Sequence, residues 1–117
     1  MHQTEQAILT AVQQAEKILV ITHVGPDGDA LGSITAMGVA LRQMGKQATL
    51  LCDDPVPERF RYLPMSGQVQ PPNENRPTSY DLLIAVDCGD ETRMGQSFAT
   101  LPTAVPTTIN IDHHVTN

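Results

Sequence analysis

The stretch Ile18–Ser33, ILVITHVGPDGDALGS, decides the fold. Its first four residues, Ile18, Leu19, Val20 and Ile21, are all apolar and mostly β-branched. That is the pattern of a strand buried on both faces of a parallel sheet. The run ends at Thr22 and passes through His23 and a Gly25-Pro26 turn to Asp27 and Asp29. Three residues able to ligate a metal therefore follow the carboxyl end of a central strand, which is where open α/β sheets bind ligands. The H-x3-D-x-D spacing suits one compact loop, with Asp27 and Asp29 projecting side by side and Gly25 and Gly28 letting the backbone turn tightly around an ion. Ala30, Leu31, Gly32 and Ser33 then open a helix whose first N–H groups favour an anion such as phosphate. The stretch points to a site that handles metal and phosphate.

Before it, Ala7, Ile8, Ala11, Val12 and Ala15 give a short helix one apolar face, with Thr4 as its N-cap. After it, Ile34, Met37, Leu41 and Met44 stand at helical spacing over Ser33–Met44, Gly45 is the stop, and Met37 and Met44 read as core. Lys46–Cys52 reads as a second strand, which makes a β-α-β unit. A short helical turn over Pro57–Leu63 follows, then a loop over Pro64–Ser79 rich in Pro, Asn and Gly. Arg59, Arg61 and Arg76 could meet a phosphate, with solvated surface as the favoured reading. Tyr80–Val86 is the third strand and ends at Asp87; Thr92–Leu101 suggests a short helix. Thr107–Ile111 is a fourth strand, ending in Asp112-His113-His114. The fold class is α/β: a mostly parallel sheet flanked by helices.

Composition narrows the function. With 117 residues the chain amounts to one domain or part of a larger one. Hydrophobic residues make up 40% and aromatics only 3%, so the core is aliphatic. A net charge of -6 excludes a generic DNA-coating surface, which would be basic, but not a nucleotide whose phosphates meet a metal ion. Cys52 and Cys88 form no CxxC pattern and read as reduced thiols. The amphipathic N-terminus lacks a signal-peptide core, and no run approaches the roughly 18 apolar residues of a membrane span. A cytoplasmic protein with no membrane partner is the expectation.

Each ionisable residue has a bland reading when taken singly. His23 could be a hydrogen-bonded loop histidine, Asp27 and Asp29 a turn and an N-cap, Asp87 a cap, and His113-His114 a chance pair. Asp53, Asp54, Asp90 and Glu91 read as solvated loop acids, and His2 carries no assignment. Together they differ. Three strands end in ionisable clusters, and parallel strands joined by crossovers bring their carboxyl ends to one edge. Two imidazoles with three or four carboxylates favour Mn²⁺, with Mg²⁺ and Co²⁺ as alternatives, and the lack of Cys ligands argues against structural zinc. So many ligands exceed the needs of one ion, so two ions sharing a carboxylate are inferred.

HVGPDGDALGS (His23–Ser33), AVDCGD (Ala85–Asp90) and Asp112-His113-His114 resemble, in order, three motifs of the DHH phosphoesterases. DCGDETRMG and INIDHHVTN are similar to the branch of nano-RNases and phosphatases of adenosine 3',5'-bisphosphate (pAp), and less so to RecJ-type exonucleases and family II pyrophosphatases. The resemblance implies a two-metal, usually manganese, site. His23 and Asp27 would hold one ion, Asp29 and His113 the other, and Asp87 would bridge them. It also implies that His114 contacts the scissile phosphate or leaving group, that Asp112 orients the histidine pair, and that Ser33 with the helix start holds a second phosphate.

Family members carry a further aspartate ligand and a C-terminal substrate-binding domain beyond the third motif. Residues 1–117 therefore read as a partial catalytic domain. The expectation is weak binding of the second metal, little turnover by these residues alone, and self-association through exposed sheet. Three classes of function stay open. They are a phosphoesterase acting on short oligoribonucleotides or pAp, an inactive metal- and nucleotide-binding fragment, and a structural domain whose acids solubilise it. Within the family, pyrophosphate, cyclic-dinucleotide and single-strand exonuclease substrates are the alternatives.

Overall fold

A computed structural model describes residues 3–22, 27–52, 54–71, 80–86 and 108–111. The elements in chain order are α1 (Gln3–Gln14), β1 (Lys17–Ile21), α2 (Gly28–Gln43), β2 (Gln47–Leu51), β3 (Val69–Gln70), β4 (Leu82–Val86) and β5 (Thr108–Ile111). The strands form one sheet in the order β3-β2-β1-β4-β5, and every pairing is parallel. The α/β reading of the sequence is met.

The continuous apolar runs are explained by burial on both faces. Ile18, Val20, Leu50, Leu82, Ile84, Val86 and Ile109 form one cluster with Leu31, Ile34 and Leu41 of α2, and Ile8, Ala11 and Val12 of α1 pack against it. Leu19, Ile21, Leu51, Leu83 and Ala85 form a second cluster with Tyr80. Alternate residues of β1 and β4 serve opposite clusters, as the period of two requires. Each buried Leu or Ile contributes roughly 1.5–3 kcal/mol, so β1 and β4 make up the mechanical centre.

Several expectations change. The segment expected to be loop between Pro64 and Ser79 contains β3, whose Val69 and Gln70 pair with Leu50 and Leu51. Two residues are too few to show a period. Thr4 already lies within α1. Helix α2 begins at Gly28, two residues before the expected opening at Ala30 and five before the periodic stretch from Ser33, because Asp27 caps it. Its other end fits the expected stop. Gly45 has φ +79, its N–H donates to Arg42 O, and Lys46 N–H donates to Leu41 O, each at 3.0 Å. Met44 is not core: it is the C-cap residue and 46% exposed, because it lies past the last turn that faces the sheet. The expected helix over Thr92–Leu101 lies outside the described residues.

Two contacts set how closely the layers fit. A Cβ on Gly38 would lie 2.9 Å from Leu50 Cδ1 and 3.1 Å from Met65 Cε, so α2 approaches the sheet through a missing side chain. At the amino edge, Asp81 Oδ2 accepts from the backbone N–H groups of Glu16 at 2.9 Å and Lys17 at 3.0 Å, while Asp81 N–H donates to Lys17 O at 2.8 Å. This clip joins the starts of β1 and β4. The N–H donors of Lys17 and then Glu16 lower the Asp81 pKa below its ordinary value.

Gly38→Ala gains helix propensity but overpacks Leu50, for a net loss of about 1–2 kcal/mol. Gly32→Ala, with no described atom within 4 Å of its Cβ, gains up to about 1 kcal/mol. Urea midpoints of the two variants should therefore move in opposite directions. For Asp81 the native pKa is the lower one, so its contribution is present above the unfolded value of about 3.9 and lost as pH falls through the native value. The midpoint gap between wild type and Asp81→Asn should be full at neutral pH and shrink in acid. A gap that does not depend on pH would contradict the clip.

Candidate functional site

The order of strands places a crevice. The chain runs outward from β1 to β2 and β3, then returns to pair β4 on the other side of β1 and moves outward again to β5. The switch point lies between β1 and β4, and the crevice at their carboxyl ends is where open α/β sheets bind ligands. Ile21 is level with Ala85, and Val86 with Ile111, so β1, β4 and β5 finish close to one line. Thr22, fully buried, ties these ends together. Its Oγ1 donates to Val86 O at 2.9 Å, and its N–H donates to Leu51 O at 3.4 Å. One residue thereby links the ends of β1, β2 and β4.

At this edge α2 begins. Asp27 is its N-cap, in extended backbone, and Asp27 Oδ1 accepts from Ala30 N–H at 2.9 Å. Asp27 O accepts the first helical bond, from Leu31 N–H at 3.0 Å. Asp29 stands in the first turn, where a carboxylate complements the positive end of the helix dipole. The expected tight turn at Gly28 is corrected: Gly28 is helical, and Asp27 precedes it as the non-helical cap. Both aspartates are exposed at one helix terminus. Ser33 is also exposed, in the second turn, roughly 7 Å along the axis from Gly28.

Of the expected site residues, the structure describes Asp27, Asp29 and Ser33. His23, Asp87, Asp112, His113 and His114 lie outside the described residues. In sequence, His23, Asp87 and Asp112 directly follow Thr22, Val86 and Ile111, the three strand ends drawn together above. Among the described residues no group of three or more His, Cys, Asp and Glu side chains could hold a metal. Asp27 and Asp29 are the described members of the expected donor set, and hard carboxylate oxygens suit the divalent ions inferred for it.

Two contributors to this edge escaped the sequence reading. Thr22 is one; its signal was a lone hydroxyl closing an apolar run beside His23. Phe60 is the other. It lies in a 3₁₀ turn (Glu58–Phe60) beyond the carboxyl end of β2, and its Cε1 would be 3.5 Å from a Cβ on Gly28, between the two aspartates. Its signal was an aromatic residue, scarce in this chain, just beyond a strand end. Cys52, at the end of β2, is buried and forms no disulfide among the described residues.

Comparison with known proteins agrees with this architecture. A solved exopolyphosphatase-related protein from Bacteroides fragilis superposes with a TM-score of 0.77 at 23% identity, over 94% of this chain and 34% of that one, which shows the fold. The bifunctional oligoribonuclease and PAP phosphatase NrnA of Thermus thermophilus is 38% identical over 104 residues. That alignment covers 86% of this chain and 28% of the Thermus protein, so the chain spans under a third of the relative's length. Residues 17–117 match the N-terminal domain of the DHH family. The chain belongs to the DHH family.

Proposed function

We propose that this chain carries the metal-binding part of a phosphoesterase that hydrolyses phosphate esters of short oligoribonucleotides or of nucleoside 3',5'-bisphosphates, in the cytoplasm. The observation that supports this best is the crevice at the β1–β4 switch point, which the motif residues border in sequence. The names of the relatives add substrate chemistry. The Thermus protein is called an oligoribonuclease and PAP phosphatase, and its identity to this chain is well above the level that marks fold alone.

In this reading His23, Asp27, Asp29, Asp87 and His113 hold two divalent ions, Mn²⁺ in the first instance. His114 meets the phosphate, Asp112 orients the histidines, and Ser33 with the start of α2 receives a further phosphate. Such ions supply an activated hydroxide and neutralise charge on the phosphoryl oxygens. The chain's own contribution is placement. The Asp27 cap anchors one carboxylate to the helix backbone, and the hydroxyl of Thr22 fixes the strand ends from which His23 and Asp87 continue.

Asp27 permits a clean test, because Asn caps a helix about as well as Asp but carries no charge. Asp27→Asn should keep thermal stability close to wild type while weakening Mn²⁺ binding by about tenfold or more, at least the loss that disturbing a ligand's outer-shell partner causes. Asp27→Ala should lose the metal and also about 1 kcal/mol of stability with the cap. Isothermal titration with Mn²⁺ and urea denaturation measure the two effects separately. Wild-type Mn²⁺ affinity in Asp27→Asn would overturn the assignment.

A further inference from the structure

The segment between β2 and β3 has no part in the metal assignment, yet it borders the same edge. Phe60 N–H donates to Pro57 O at 2.9 Å, Arg61 N–H to Glu58 O at 3.1 Å, and Leu63 N–H to Phe60 O at 3.1 Å. In such tight turns residues three apart eclipse one another. Phe60 and Leu63 face inward and pack against the core, with the Phe60 ring against Gly28 at the start of α2. Tyr62 is 78% exposed, the most open of the large hydrophobic residues among those described. Ser66 Oγ donates to Arg61 O at 2.8 Å, so the segment is held at both ends of its turn.

Its charge is equally unusual for this chain. Only 7 of 117 residues are Lys or Arg and the net charge is -6, yet Arg59 and Arg61 stand two apart. Both are exposed, and among the described residues neither joins an ion pair. The Arg59 guanidinium lies 4.7 Å from the centroid of the Phe60 ring, which keeps it beside the ring that touches Gly28. An open aromatic ring with two guanidinium groups close by in sequence, at Arg59 and Arg61, offers the chemistry that binds single-stranded nucleic acid without reading its sequence: bases stack and phosphates are neutralised.

We infer that residues 59–62 form a nucleotide platform, on which Tyr62 stacks a base while Arg59 and Arg61 hold adjoining phosphates of a short single-stranded oligoribonucleotide. The inference rests on the phosphoesterase reading and assigns it a substrate contact outside the metal ligands. A base-free phosphate chain would meet only the arginines, so the platform favours nucleotides over inorganic polyphosphate.

The test uses the chain's own fluorescence. There is no Trp, Tyr80 is buried, and Tyr62 is the open tyrosine. Titrating the 117-residue chain with an adenylate pentanucleotide, without metal, should quench tyrosine emission, whereas tripolyphosphate should not. By anisotropy of a labelled pentanucleotide, Tyr62→Ala should weaken binding roughly tenfold and Tyr62→Phe should restore it. Arg59→Gln with Arg61→Gln should lower the slope of log affinity against log salt by about 1.4, two single-strand phosphate contacts. Circular dichroism checks that these exposed positions leave the fold intact. Pentanucleotide binding that is absent, indifferent to Tyr62, or matched by tripolyphosphate would overturn the platform. Mn²⁺ titration of the same wild-type sample separates the two claims. If Mn²⁺ binds while Tyr62 has no effect, only the platform fails; if no Mn²⁺ binds, the phosphoesterase reading fails.

Discussion

Everything in this chain depends on the parallel pairing of β1 with β4. The two strands are adjacent in the sheet but separated by about half the sequence, so their contact closes a long loop at a cost in entropy that grows slowly with its length. Apolar burial on both faces supplies most of the offset. Polar bonds at the ends then fix the register. Asp81 clips the amino ends through two backbone N–H groups, and Thr22 clips the carboxyl ends through a buried hydroxyl. A slip of one residue would exchange the side chains bound for the two clusters and break both clips. The two ends are not equivalent. The amino clip is exposed and ionic, whereas the carboxyl clip is buried and neutral, so only the amino clip is expected to weaken in acid.

Helix α2 translates that central pair into a site. It leaves the end of β1 after a short connection and lies against the sheet closely enough that a Cβ at Gly38 would press on Leu50 and Met65. Its first turn is therefore held at a fixed height above the carboxyl edge. The cap bond from Ala30 N–H to Asp27 sets the direction of one carboxylate, and Phe60 closes over Gly28 from the other side. Precision at the edge comes from backbone hydrogen bonds and packing rather than from long side chains. Such a frame keeps carboxylates in place before any ligand arrives.

Much of this was legible in the sequence, for identifiable reasons. Runs such as Ile18–Ile21 and Leu82–Val86 admit few environments other than a parallel sheet covered on both faces, and Gly45 is a strong stop because its left-handed backbone excludes most other residues. What was missed depends on contacts between distant residues. Nothing in Val69-Gln70 signals a strand until Leu50 and Leu51 lie beside it. The start of α2 was placed too late because two glycines and a proline suggested a loop, while the cap at Asp27 outweighed them. Met44 has core chemistry but sits past the end of the buried face. At the candidate site, the motif pointed to Asp27 and Asp29, whereas the parts of Thr22 and Phe60 show only in three dimensions.

The two aspartates pose the sharper question of what structure alone would demand. Helix capping accounts for Asp27, and a favourable dipole, worth about 0.3–1 kcal/mol at an exposed site, accounts for part of Asp29. Those needs are generic, and Ser or Asn would meet the first of them equally well. They do not by themselves call for two carboxylates within three residues of a chain that is already acidic, beside the mouth of a switch-point crevice. Like charges at that distance repel, and the folded chain must bear that repulsion whenever no cation is near. Under the proposed metal assignment, a divalent cation would offset that repulsion. That assignment also explains why the positive charge that would greet a nucleotide stands apart, on the 3₁₀ turn at Arg59 and Arg61. Guanidinium groups placed among the aspartates would pair with them and leave neither free for its ligand.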